Sequence, residues 1–210
     1  LHLAGWPLDP DTYGGAFMYH AEDNKVYCGF VIGLGYANPY LFPFEEFQRW
    51  KTHPRIKWYF TDDNGNVNAK RISYGARAIT AGGIMALPKT VFPGGALVGC
   101  DAGYLNVSRI KGSHAAIKTG MLAADAAYDA VVAGRQHDEL SAYPEAFEHS
   151  WLHAELNKDR NYKTWFKKGL TVGTLMTGIE QKLFAGHMPW TVHRHAPDYA
   201  LLDKAAEHQP

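Results

Sequence analysis

The residues best suited to chemistry lie in GCDAGYLNVSRIKGSHAA, residues 99 to 116. An apolar run ends on Asp101, Gly103 follows, and Lys111, Gly112 and Ser113 lead into a small-residue helix. A carboxylate beside backbone N–H groups left open at a helix start suits a sugar alcohol joined to a phosphate. Gly103 removes a Cβ where a phosphate would approach the backbone. Lys111, Gly112 and Ser113 aim N–H groups and the positive helix end at an electron-rich ligand atom, and flavin N1 and O2, which gather charge on reduction, are such atoms. The same spacing serves packing alone in many α/β proteins, so it does not decide the matter by itself.

Other chemistry finds little support. No G-x-S-x-G, H-E-x-x-H or P-loop pattern occurs. Eleven histidines are present, but His187, His193 and His195 have no carboxylate or cysteine in register and read as solvated, so no metal site is assigned. Cys28 and Cys100 are the only cysteines, too few for an iron-sulfur cluster or a disulfide scaffold. With 21 basic and 21 acidic residues the chain carries no global positive field, which argues against a nucleic-acid partner.

The 210 residues, 46% of them apolar, suffice to bury a core. No apolar run reaches the roughly 20 residues a spanning helix needs. The chain opens LHLAGWPLD, in which no signal or transit peptide is readable, and it is expected to be a segment of something longer.

Elements to position the site follow from patterning. Residues 15 to 34 read as a hairpin about the polar AEDNK, and Pro43 opens a helix carrying Phe44, Phe47 and Trp50 on one face. WYFTDDNGNVNAKRIS reads as a second hairpin turned at Asn64-Gly65. The stretch ARAITAGGIMALPKTVFPGG is irregular, and ALVG, residues 96 to 99, is expected to be a short buried strand. A helix is predicted over 113 to 133 with Ser113 as N-cap and Gly134 ending it. Tyr143, Phe147 and Trp151 step along a second helix, and a third runs from about Thr164 to Phe184. The tail from His193 is assigned no structure. The third helix sets Leu175, Met176, Ile179 and Leu183 at helical spacing with Lys167, Lys168 and Lys182 around them and Trp190 near its end, the make-up of an interfacial helix or equally of a surface helix packed on its own domain.

GGALVGCDAGYLNVSRIKGSHAAIKTGMLAADAA strongly resembles the second flavin-contacting segment of the electron transfer flavoprotein-ubiquinone oxidoreductase family. GWPLDPDTYGGAFMYH, GYANPYLFPFEEFQRWKTHP, ISYGARAI and LPKTVFPGG extend the resemblance over nearly the whole chain. It implies that Asp101 accepts a hydrogen bond from the ribityl chain of FAD, that Gly103 lies against the pyrophosphate, and that Ser113 donates toward flavin N1 and O2. A hydrogen bond to a charged acceptor contributes about 1.5 to 3 kcal/mol, so Ser113→Ala is expected to lower the flavin potential by some tens of millivolts.

The resemblance likewise places Tyr13, Gly14 and Gly15 at the ubiquinone, although TYGG alone reads as a turn into a strand. Phe30, Val31, Ile32, Tyr40, Leu41 and Phe42 can supply apolar wall, most of them being ordinary core. Arg77 falls in a matching block without a derivable role.

The fold class implied is α+β: an antiparallel quinone-domain sheet over 1 to 90, the last strand and helix of an FAD-binding Rossmann-like domain over 91 to 134, and membrane-associated helices over 135 to 210. Electrons would pass from reduced electron transfer flavoprotein through a [4Fe-4S] cluster and FAD to ubiquinone, serving fatty-acid oxidation. The family's G-x-G-x-x-G segment and its cluster cysteines are not in this sequence, so the piece alone is expected to be inactive. The expected location is monotopic on an inner membrane, at the bacterial cytoplasmic or mitochondrial matrix face. A prenyl-chain reductase, an aromatic hydroxylase or a lipid-binding module are the competing readings.

Overall fold

The computed structural model describes residues 1–193 and 197–208; His195 lies outside them. The chain is a mixture of helices and small antiparallel sheets and divides into two compact units. Unit 1 comprises residues 1–76, 166–172 and 194–210, and unit 2 comprises 77–165 and 173–193.

Unit 1 is built on the antiparallel strands β1 (His2–Ala4), β2 (Gly14–Ala21) and β3 (Lys25–Ile32), in that order. Asp23 and Asn24 both take positive φ in the predicted hairpin turn, the backbone a tight turn between twisted strands requires. Ala16 pairs with Phe30 and Met18 with Cys28. Helix α1 (Pro43–Lys51) begins at its proline as expected and is followed by α2 (Pro54–Lys57). Ala16, Met18, Trp50 and Ile56 form the core, with Phe30 and Phe47 packed against it. The second predicted hairpin shrinks to a single bridge between Thr61 and Val67. The Asp62 side chain accepts the N–H groups of Asn64 and Asn66 and fixes that turn. Val67 and Ile72 remain exposed, so continued strands would have had no apolar face to bury.

In unit 2, β4 (Val91–Phe92) and β5 (Gly95–Ala96) form a minimal hairpin, with a positive φ at Gly94. The strand expected over 96–99 forms only at its start: Ala96 ends β5 and the Leu97 N–H donates to Thr90 O, before the chain enters the short helix α3 (Gly99–Ala102). Beyond that pairing side chains meet the backbone, the Tyr143 hydroxyl donating to Leu97 O and the Gly99 N–H donating to Thr119 Oγ1. Helix α4 (Ser113–Val132) is the long alanine helix, but its N-cap is Gly112, one residue before the expected Ser113. Its end is a Schellman turn: Gly134 has φ +68°, its N–H donates to Val131 O, and the Arg135 N–H donates to Ala130 O.

The second predicted helix is two, α5 (Ala142–Glu148) and α6 (Trp151–Lys158), because Ser150 caps α6 by accepting the His153 N–H. Trp151 is consequently exposed, while Tyr143, Phe147, Leu152 and Leu156 join Tyr104 and Ala115 in the core. The third is also split, into α7 (Tyr162–Phe166) and α8 (Leu170–Leu183), with Gly169 at φ +94° between them. In the tail, single 3-10 turns form at Asp198–Leu201 and Ala205–Glu207.

Candidate functional site

Unit 2 brings the Asp101 segment against the start of α4. Gly103 ends α3 at φ +100°, so the chain reverses there and the Tyr104 N–H donates to Gly99 O. Beyond it Tyr104 to Val107 are buried, and Asn106 exchanges both backbone hydrogen bonds with Lys111 (2.9 and 3.2 Å). A Cβ on Gly112 would lie 2.6 Å from Cys100 Sγ, so the absence of a side chain is what lets α3 approach α4.

Asp101, Lys111 and Ser113 are exposed and Gly103 is buried. The Lys111 N–H, expected to face a ligand, donates to Asn106 O instead. The first helical bond of α4 runs from the Ala116 N–H to Gly112 O, and no side chain caps the helix. The amides of Ser113, His114 and Ala115 therefore have no acceptor within the helix. Gly103 needs no ligand to explain it: its backbone is left-handed, and a Cβ there would meet Thr80 Cγ2 at 3.3 Å.

Sequence reasoning left Arg77 without a role; its Nη2 lies 2.6 Å from Asp101 Oδ1, both side chains largely in solvent. Asn106, His114 and Glu155 gave no signal at all in the sequence. Glu155 Oε1 accepts from Asn106 Nδ2 at 2.7 Å and lies 2.9 Å from His114 Nε2. Burial pushes the Glu155 carboxyl up, but hydrogen bonds from Asn106 and His114 and the charges of His114 and Arg109 outweigh it, holding the group below its ordinary range.

In unit 1, Tyr13, Gly14 and Gly15 sit where the chain enters β2. The Gly33 N–H donates to Tyr13 O at 2.7 Å, and the Tyr13 ring meets Phe166 edge-on at 5.5 Å. A Cβ on Gly14 would lie 2.4 Å from Val31 O, and one on Gly15 2.3 Å from Leu3 O. Both glycines are thus required by the neighbouring strands. A crevice of about 10 Å³ beside Tyr13 and Gly14, closed by Pro10, Phe166 and Leu170, holds no more than a water. Val31, Tyr40 and Phe42 of the expected apolar wall are exposed, while Phe30, Ile32 and Leu41 are half-buried.

Helix α8 is turned inside out. Its buried residues are Gly173 and Glu180, whereas Leu175 and Leu183 are 62% and 75% exposed. Glu180 Oε1 accepts from Asn161 Nδ2, Trp165 Nε1 and Trp190 Nε1 at 2.8 to 2.9 Å. No helix among the described residues is long and apolar enough to cross a membrane. Burial raises the Cys28 thiol, with Lys51 pulling it back, and no group of three metal-ligating side chains occurs among the described residues.

Residues 1–79 match the family model described as ETF-QO, ubiquinone-binding. Over 209 residues the chain is 52% identical to an electron transfer flavoprotein-ubiquinone oxidoreductase of Pseudomonas aeruginosa, covering 99% of this chain and 37% of that protein. The mitochondrial proteins of that name from Oryza sativa and Sus scrofa are each 42% identical over all of this chain, which spans 35% and 34% of their lengths. The chain belongs to the electron transfer flavoprotein-ubiquinone oxidoreductase family. It spans about a third of the length of these relatives.

Proposed function

We propose that this chain carries the flavin-to-quinone end of an FAD-dependent oxidoreductase that passes electrons from reduced electron transfer flavoprotein to ubiquinone at a membrane surface. The observation that carries the reading is the similarity over the full chain to proteins of that name, with the ubiquinone-binding match on 1–79. In this reading residues 1–90 serve the quinone, 91–134 complete the flavin-binding fold, and 135–210 include the membrane-facing helices.

The residues at the start of α4 fit a flavin. Open amides at Ser113 to Ala115 and the exposed Ser113 hydroxyl suit an atom that gains negative charge, and Asp101 suits the ribityl hydroxyls. A flavin held here would supply a centre able to take up electrons singly from an iron-sulfur cluster and to pass on the two that reduction of a quinone requires. Asp101 and Ser113 orient it, Lys111 adds positive charge near the helix end, and Gly103 and Gly112 let the chain turn closely enough to place them. Tyr13, Gly14 and Gly15 line the quinone, with Val31, Tyr40 and Phe42 as apolar wall. A [4Fe-4S] cluster would be held by cysteines outside this chain, since Cys28 and Cys100 are the only two here.

The inverted α8 supports attachment to one membrane leaflet. Exposed Leu175 and Leu183 beside Lys182 give a surface that enters the headgroup region without spanning it. The location would be the bacterial cytoplasmic or mitochondrial matrix face of an inner membrane, and the electrons those of fatty-acid oxidation.

Flotation with liposomes and FAD of a full-length family protein carrying this segment tests the reading. It is expected to float and acquire flavin absorbance. Leu175→Ser with Leu183→Ser should abolish flotation and keep the flavin. A full-length protein that floats but never takes up flavin overturns the flavin assignment.

A further inference from the structure

One carboxylate oxygen gathers both flanks of the Lys111–Ser113 turn. Ahead of the turn, Asn106 is fully buried and is bonded in both directions to the Lys111 backbone, so wherever Asn106 goes Lys111 follows. Immediately after Ser113 comes His114, whose ring stacks on Trp151 of α6 at 6.0 Å. Both end on Glu155 Oε1, at 2.7 and 2.9 Å. The loop between them adds its own ties: Asn106 Oδ1 accepts the Arg109 N–H, and the Ser108 hydroxyl donates to Asp159 Oδ2 at 2.6 Å. Ile110 holds a left-handed φ of +52° within it, a conformation a β-branched residue keeps only where its surroundings impose it.

We infer that Glu155 is a positioning residue for the cofactor-binding turn: by fixing Asn106 and His114 together it presets the spacing of the Gly112 and Ser113 groups that meet the ligand. The inference rests on the flavin reading of that turn. Glu155 touches no ligand itself; it acts through two neighbours. Because it is an anion, both of its bonds are of the stronger, charge-assisted kind. Its helix is held independently by Leu152 and Leu156 in the core, so removing the carboxylate leaves α6 in place.

Amide hydrogen exchange on a full-length family protein carrying this segment, with and without FAD, tests this. In the wild type FAD should slow exchange at residues 112–115. Glu155→Ala should speed exchange at 106 and 111–115 and weaken FAD about tenfold, the effect of losing roughly one charge-assisted hydrogen bond. Exchange in α5 should be unchanged. Glu155→Gln should fall between wild type and Glu155→Ala, because an amide oxygen still accepts from both partners but without the charge. FAD protection that persists undiminished in Glu155→Ala overturns the inference alone, as does a uniform speeding across unit 2. A wild type whose 112–115 amides FAD never protects overturns the flavin reading and this inference together.

Discussion

Gly112 shows how much one missing side chain decides. Its φ of −127° is open to any residue, so its identity is set by space rather than by backbone conformation. A methyl there would press on Cys100 Sγ at 2.6 Å and Leu105 Cδ1 at 3.1 Å. Gly112→Ala should therefore cost about 1 to 3 kcal/mol by overpacking. In the Cys100→Ala background the methyl has room, and most of the loss should vanish. Urea denaturation of the two single variants and the double checks this; additive losses would mean that α3 does not lie against the α4 start. The same residue shows what sequence could and could not give. Asp101, Gly112 and Ser113 were legible as a turn feeding a helix, because residue type and order carry that signal. That Arg77 reaches Asp101, 24 residues on, depends on a pair far apart in the chain that no local pattern announces, and that Lys111 spends its N–H on Asn106 depends on a loop with no turn signature of its own.

Among elements, those with a complete local signal were legible. The hairpin of β2 and β3 has alternation and a polar turn, α1 has proline at its first position, and α4 has Gly134 to stop it. The helices that were misjudged were those interrupted by a cap or a glycine, at Ser150 and Gly169, where periodicity ran on across a break in the backbone. The 96–99 strand stops early for a different reason: its pairing with the β4 side ends at Leu97, and beyond it Tyr143 and Thr119 satisfy the backbone. Helix α8 inverts the usual rule, since its buried face is chosen by Glu180 and not by its leucines. Glu180→Leu would bury more apolar area but remove the acceptor of the Trp165 and Trp190 indole N–H groups, the latter at the edge of solvent, while Asn161 Nδ2 still reaches Trp190 O at 3.4 Å. With an unsatisfied buried donor costing about 1 to 3 kcal/mol, the substitution should destabilise by about that amount. Glu180→Gln, which keeps one accepting oxygen, should cost far less. Equal stability of the Leu and wild-type proteins in urea would show that the cluster does not hold α8.

At the scale of the whole chain, among the described residues each unit carries a carboxylate whose folded environment favours the ionised form. In unit 1 the Asn66 N–H leads the groups that hold Asp62 below its ordinary range; in unit 2 the Asn106 and His114 bonds do so for Glu155. A carboxyl lowered on folding contributes stability above its unfolded pKa and loses it as pH falls through the folded one. The window therefore opens below about pH 4.5, where unfolded carboxylates begin to protonate. Stability should thus hold level down to about pH 5 and decline below about pH 4.5. Glu155→Gln, which cannot titrate, should flatten that decline. Urea melts followed by tryptophan fluorescence at pH 7, 5 and 3.5 measure it. A decline of equal slope in wild type and Glu155→Gln would mean that Glu155 is as easily protonated folded as unfolded, and that its bonds to Asn106 and His114 do not favour the anion.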